Sequence, residues 1–232
     1  MEDFGEADRY IQFFTRDWGM ITTLAKSARK SKRRYVGGLD LFCHNEISVK
    51  GDPKERPYLI ELSVLNSFPK LREDLERMLL AGRMTQWIRN LANTATPMPS
   101  VYSLLGQSLS LIENEKNKNR FELLGLVFKL KLLSHLGFKP KVDSCARCGN
   151  DNDIEGIFDL GSGGILCRPC APRANHLDTS LLHPHQRNFL NIADQFRLSA
   201  WNQIEYPHDH VSILSRIVTQ FASFHTHVRL PL

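Results

Sequence analysis

Cys145 and Cys148 form one Cys-x-x-Cys pair, Cys167 and Cys170 form a second, and eighteen residues lie between the pairs. Each pair can present two thiolates from one tight knuckle, and two knuckles facing one another supply the four soft ligands of a tetrahedral structural zinc site. With all four positions taken by sulfur, no coordination site is left for water, so the expected ion is one structural zinc that staples the chain and does not catalyse. Disulfides are the competing use of these cysteines, and they require an oxidising compartment. The chain starts Met1-Glu2-Asp3 without the basic start and apolar stretch of a secretory signal, so the cytoplasm is the expected address.

A catalytic use of the same residues has to be met. His44-Asn45-Glu46 ahead of Cys145-x-x-Cys148 superficially matches the H-x-E and P-C-x-x-C pattern of zinc deaminases. Ser144 stands where the proline belongs, and Cys167 and Cys170 would be left without a role. Cys43 is better read as a small buried hydrophobe and His44 as a polar residue on a half-exposed strand. Three H-x-H pairs, His183/His185, His208/His210 and His225/His227, suggest a second metal, but residues two apart diverge on a helix, and surface or capping roles fit better. There is no P-loop, no G-x-S-x-G and no H-E-x-x-H, and nothing pairs a nucleophile with a base, so no enzymatic activity is expected.

The elements that must position the cysteines can be read around them. Gly149 to Asn152 is a turn, Ile154 to Leu160 a short strand, Gly161 to Gly164 a second turn, and Ile165-Leu166 leads back to Cys167. Residues 143–172 thus read as a zinc ribbon. Before it, residues 1–66 hold β-like runs at Tyr10 to Thr15, Met20 to Leu24, Leu39 to Val49 and Tyr58 to Leu65, the pattern of a small barrel. After Pro69 the apolar period changes to three and four: Leu71, Leu75, Met78, Leu79, Met84, Trp87, Ile88 and Leu91 predict one amphipathic helix. Further helices are expected at Ser100 to Glu113, Arg120 to Leu136, Pro184 to Phe196 and His208 to Val228. Phe121 to Leu133 is apolar nearly all round, as at the centre of a bundle. The expected fold class is therefore α+β, with a β-barrel over 1–66 and a helical domain over 67–232 interrupted by the ribbon.

Charge is unevenly placed. The 232 residues carry a formal net charge of +5 and a pI near 9.0. Lys26, Arg29, Lys30, Lys32, Arg33 and Arg34 crowd a connection between two expected strands, and no acid occurs from Thr22 to Leu39. A second bias follows Lys116, Lys118 and Arg120 through Lys129, Lys131, Lys139 and Lys141, opposed only by Glu122 and Asp143 as far as Arg147. Such fields suit a polyanion, because neutralising phosphates releases condensed counterions whatever the base sequence. Loops between barrel strands are where OB-type folds hold nucleic acid. No apolar run approaches the length of a bilayer span, and no membrane partner is expected.

In this order the chain resembles the RecO family of bacterial recombination mediators. The resemblance is carried by Phe14-Thr15-Arg16-Asp17-Trp18-Gly19-Met20-Ile21, by Ala25-Lys26-Ser27-Ala28-Arg29 and by Gly37-Gly38-Leu39-Asp40-Leu41-Phe42. It continues through Ser67-Phe68-Pro69-Lys70-Leu71-Arg72-Glu73-Asp74-Leu75, Leu136-Gly137-Phe138-Lys139-Pro140 and the two Cys-x-x-Cys pairs. It implies an N-terminal OB fold, a helical domain with an inserted zinc ribbon, and binding of single- and double-stranded DNA. It also implies annealing of complementary strands and cooperation with RecR in loading RecA onto DNA coated by the single-stranded-DNA-binding protein, in association with the nucleoid. Family members carry an additional strand ahead of the segment matching Phe4-Gly5-Glu6, so the barrel is expected to lack its first strand, leaving Tyr10 to Thr15 with an open edge. The alternative is a zinc-ribbon interaction module that docks other proteins and has no direct DNA function.

Overall fold

Alternation of buried and half-exposed side chains fixes the strands of the N-terminal half: Ile21, Thr23 and Ala25 point inward from β3 (Gly19–Ala25), and Ile11 does so from β2 (Asp8–Thr15). The computed structural model describes residues 1–31, 34, 35, 37–92, 95–151, 154–173 and 179–231. The chain divides into two compact units, Met1–Lys116 and Asn117–Leu232.

In the first unit β1 (Glu2–Phe4), β2, β3, β4 (His44–Lys50) and β5 (Tyr58–Asn66) form one sheet in the order β1-β2-β3-β5-β4. All pairs are antiparallel except β3 with β5, which meet in parallel at Leu24 and Tyr58. This is the five-stranded OB-like arrangement expected over 1–66. Ile11, Ala25, Tyr35 and Leu59 are its buried centre, with Phe13, Ile47, Val49 and Leu62 packed against them. Two expectations are corrected. Leu39 to Cys43 is a turn and bend region, and β4 begins only at His44. Of the edge expected to be open along Tyr10 to Thr15, Tyr10 is paired: the three-residue β1, Glu2–Phe4, lies along Asp8 to Tyr10 and reaches no further.

The single helix expected from Leu71 is two. α1 (Pro69–Glu73) stops at Asp74, whose extended backbone (φ −130°, ψ 123°) starts α2 (Leu75–Leu91) while its carboxylate accepts from the Arg77 N–H at 3.1 Å. The break resets the buried face to Leu80, Ala81, Met84, Trp87 and Ile88, so Leu75 and Leu79 lie outward, 66% and 53% exposed. α3 (Pro99–Asn114) runs beside α2, and Arg77 donates to the carbonyls of Ile112 and Glu115, groups that the end of α3 would otherwise leave unpaired. Asp74→Ala is expected to lose about 1 kcal/mol and about 2–4 °C of melting temperature, because one N-cap acceptor disappears. An unchanged calorimetric transition would show that the cap contributes nothing.

In the second unit α4 (Phe121–His135) is buried on all sides, as its unbroken apolar sequence requires, and α6 (His208–Thr226) packs along it. Lys129, buried within α4, donates to the hydroxyls of Ser215 and Thr219, each at 2.9 Å. β6 (Ile154–Asp159), β7 (Gly164–Cys167) and β8 (Thr179–Leu181) form a three-stranded sheet in the order β7-β6-β8. The third strand lay outside the expected hairpin. Phe158 reaches Phe221 of α6 edge-on, with ring centroids 5.9 Å apart, and anchors the sheet to the helices. α5 (Pro184–Ile192) is shorter than expected, its last residues passing into a 3-10 turn at Ala193–Gln195.

Candidate metal centre and nucleic-acid interface

The two knuckles are shaped by glycine and by backbone hydrogen bonds. Cys145 O accepts from the Gly149 N–H at 2.9 Å, and Cys145 N–H donates to Asn150 O at 2.8 Å, folding Cys145 to Cys148 into a tight loop. Gly149 closes it at φ +78°, a conformation that side-chain-bearing residues avoid. The partner knuckle leaves β7, where Gly164 lies so close to Lys141 that a Cβ would stand 2.0 Å from the Lys141 carbonyl. The Ala146 N–H donates to Ile165 O at 2.8 Å and stitches the knuckles together. Arg147 adds a 3.2 Å hydrogen bond to Cys170 O.

The result is a cluster in which the four sulfurs of Cys145, Cys148, Cys167 and Cys170 lie within 4.8 Å of one another. Cys148 and Cys167 sulfurs are 3.6 Å apart, close to the edge of about 3.8 Å that a tetrahedron with metal–sulfur bonds of about 2.3 Å requires. Burial pushes the Cys145 thiol up, but the N–H groups of Cys148, Cys167 and Arg147 outweigh it and bring it down to about 6. Cys170 is pushed up to about 12, first by its hydrogen bond with Cys167 and then by burial. Four adjacent thiolates repel one another unless a cation sits among them, so this array can bind a metal ion. Among the described residues it is the one group of His, Cys, Asp or Glu drawn together closely enough to do so.

The first histidine pair stacks, and the other two do not. His183 precedes α5, so its ring is free to stack on that of His185 at 5.6 Å, and His210 of α6 meets His185 at 4.4 Å. His225 pairs with Leu160 O at 2.9 Å, and His208 lies 3.4 Å from Glu122. In the other unit His44 bonds the Tyr102 hydroxyl at 2.9 Å, and the Cys43 thiol donates to Gly37 O at 3.2 Å.

The first basic cluster occupies the connection from β3 to β4. Lys26, Arg29, Lys30 and Arg34 are exposed; Lys32 and Arg33 lie outside the described residues. The connection is pinned from within by Tyr35, which is buried and donates its hydroxyl proton to Leu59 O at 3.3 Å. Arg34 donates to Ile60 O at 3.1 Å, and the Lys26 ammonium lies over the Tyr58 ring at 4.7 Å. Cross-strand pairing adds cations that spacing alone did not reveal. Arg9 pairs with Asp3 at 2.8 Å, Arg29 approaches the same carboxylate at 3.5 Å, and Arg56 covers the Tyr10 ring at 5.2 Å. Arg9, hydrogen-bonded to it, and Arg29 by its charge hold the Asp3 carboxyl below its ordinary range.

The second basic track is dispersed. Lys116, Lys118 and Lys141 are exposed. Arg120 instead donates to Trp201 O and Ile204 O at 2.6 and 2.9 Å while lying over the Trp201 ring. Lys131 donates to Asp194 O, and Lys139 pairs with the Asp194 carboxylate at 3.0 Å. Of this track, Arg120, Lys129, Lys131 and Lys139 therefore bind parts of their own unit.

Residues 1–68 match the family described as recombination protein O, N-terminal, and residues 72–231 match recombination protein O, C-terminal. The chain is 33% identical over 172 residues to the DNA repair protein RecO of Myxococcus xanthus (strain DK1622), covering 74% of this chain and 69% of that protein. It is 34% identical over 180 residues to the DNA repair protein RecO of Anaeromyxobacter sp. (strain Fw109-5), covering 74% and 67%. To that of Rubrobacter xylanophilus it is 33% identical over 169 residues, covering 72% and 66%.

Proposed function

Since the chain belongs to the RecO family of DNA repair proteins, we propose that it is a non-catalytic recombination mediator that holds DNA through phosphates and brings complementary strands together. The observation that carries this reading is the basic connection after β3, acid-free as far as Leu39, in which Lys26, Arg29, Lys30 and Arg34 are exposed around the buried Tyr35. Lys32 and Arg33 extend the run in sequence, and the exposed Lys116 and Lys118 are further candidates. Contacts to phosphate position a strand without reading its bases, so single- and double-stranded DNA of any sequence are substrates. Screening the charge of two strands at once would favour annealing. RecR, the single-stranded-DNA-binding protein and, indirectly, RecA are the proposed partners in loading recombinase, in a cytoplasmic, nucleoid-associated setting. The four cysteines hold one zinc ion, whose role is to keep the ribbon folded.

Binding to mixed-sequence single-stranded DNA, measured by anisotropy across a salt series, tests this: affinity should fall steeply as salt rises. An affinity indifferent to salt would favour the second reading, a protein-docking module, for which the outward Leu75 and Leu79 of α2 are the supporting observation. Asp3 gives a finer test. Its carboxylate competes with phosphate for Arg9 and Arg29, so Asp3→Asn should tighten DNA binding roughly three- to tenfold at low salt. Unchanged affinity would mean that neither arginine meets the backbone.

A further inference from the structure

The outer face of the OB-like sheet carries a row of rings set by register. Glu2 pairs with Tyr10, Tyr10 with Leu24, Leu24 with Tyr58, and Tyr58 with Lys50, so these side chains lie on one side of four successive pairings. Their successors Ile11, Ala25 and Leu59 are buried in the barrel, which fixes the row as outward. Tyr58 is 44% exposed and Phe4 49% exposed; the Phe4 ring leans on Tyr10 at 4.9 Å and extends the row past β2.

Cations are interleaved with these rings. The Lys26 ammonium sits over Tyr58 and the Arg56 guanidinium over Tyr10. Arg56 is held in the left-handed region at φ 55°, a strained setting for a side-chain-bearing residue, at the end of the loop joining β4 to β5. That loop is fastened to the sheet by the Leu24 N–H donating to Pro57 O at 2.9 Å. The acids on this face are Glu2, Asp8, Glu61 opposite Ser48, and Glu46 farther along β4; the Asp8 carboxylate is taken by the Ser27 N–H at 2.7 Å.

We propose that Tyr58 and Phe4, with Tyr10 supporting them, are a base-stacking platform for single-stranded nucleic acid, and that Lys26, Arg56 and Lys50 grip the phosphates between stacked bases. The proposal rests on the reading that this chain binds DNA and adds that it touches bases as well as backbone. Rings and cations side by side suit the bases and phosphates of one strand, a base displacing the Lys26 ammonium from the Tyr58 face, whereas a protein-docking face would need a broad aliphatic surface, and beside the rings stand the half-buried Leu24 and the exposed Ile60. Stacking of this kind accepts every base, so it adds affinity without sequence preference.

The test compares oligothymidylate with an abasic strand of equal length and charge, each titrated against the full chain by anisotropy. Intact protein should bind oligothymidylate about tenfold more tightly. Tyr58→Ile, which keeps a strand-forming side chain and removes the ring, should erase most of that preference, while the abasic affinity moves by less than about twofold and Tyr58→Phe restores the preference. Quenching of 2-aminopurine placed within the strand, present in the intact protein and absent in Tyr58→Ile, reads stacking directly. Equal binding of both strands by the intact protein would overturn the platform and leave phosphate binding standing. Failure to bind either strand would overturn the DNA reading and the platform with it.

Discussion

Cys145→Ser or Cys167→Ser is expected to abolish stoichiometric metal binding and to unfold the ribbon, with loss of soluble protein or a melting transition lowered by well over 10 °C. Ribbons of this size bury few apolar side chains; here Leu166 and Ala171, with Ile157, are what packs against the sulfurs. Metal affinity in such modules is folding energy, on the order of 10–16 kcal/mol in small zinc-binding peptides. Since Phe158 and Phe221 join the ribbon to α6, damage should spread into the helices of the same unit. Cys43→Ser provides the control: its thiol donates to carbonyls and accepts from Arg72, all in its own unit, and metal content should not change. Elemental analysis of protein purified without chelators decides the matter, and absence of stoichiometric metal from the intact chain would end the zinc assignment.

The other large effect expected is on DNA. Replacing Arg29, Lys30 and Arg34 together with alanine should flatten the plot of log affinity against log salt by about 2.7, at about 0.9 per phosphate contact for duplex. At salt near 0.1 M this amounts to a loss of about two to three decades, nearly equal for different sequences because no base is being read. Tyr35 is left in place to hold the connection, so circular dichroism should be unchanged. If the slope stays as it was, the connection does not carry the phosphates.

The four cysteines were legible because their chemistry is local: two ligands three residues apart share a knuckle wherever it lies in the fold. The basic connection was legible for the same reason. The ring and cation row was not, because Tyr10, Tyr58 and Arg56 are ordinary residues until register brings β2, β3 and β5 together. Period gave the existence of α2 but not its face, since a single capping residue, Asp74, restarted the helix. The second basic track shows the opposite failure. Charge counting could not tell that the Arg120 guanidinium closes on two carbonyls and an indole, or that Lys129 is buried against hydroxyls.

The parallel contact between β3 and β5 has a consequence for the order in which the first unit assembles. β1, β2 and β3 are joined by short turns and β4 and β5 by one loop, so each group can zip up as a local hairpin within microseconds. Uniting them depends on one registered pair, Leu24 with Tyr58, reinforced by Leu24 to Pro57 and by Tyr35 to Leu59. Contacts so distant along the chain carry the greatest loop-closure entropy and set the slow step of folding. The long basic connection is the tether across that step. Mutual repulsion of its cations opposes the closing of the tether, and a bound polyanion, by cancelling that repulsion, would speed the union of the two halves of the sheet.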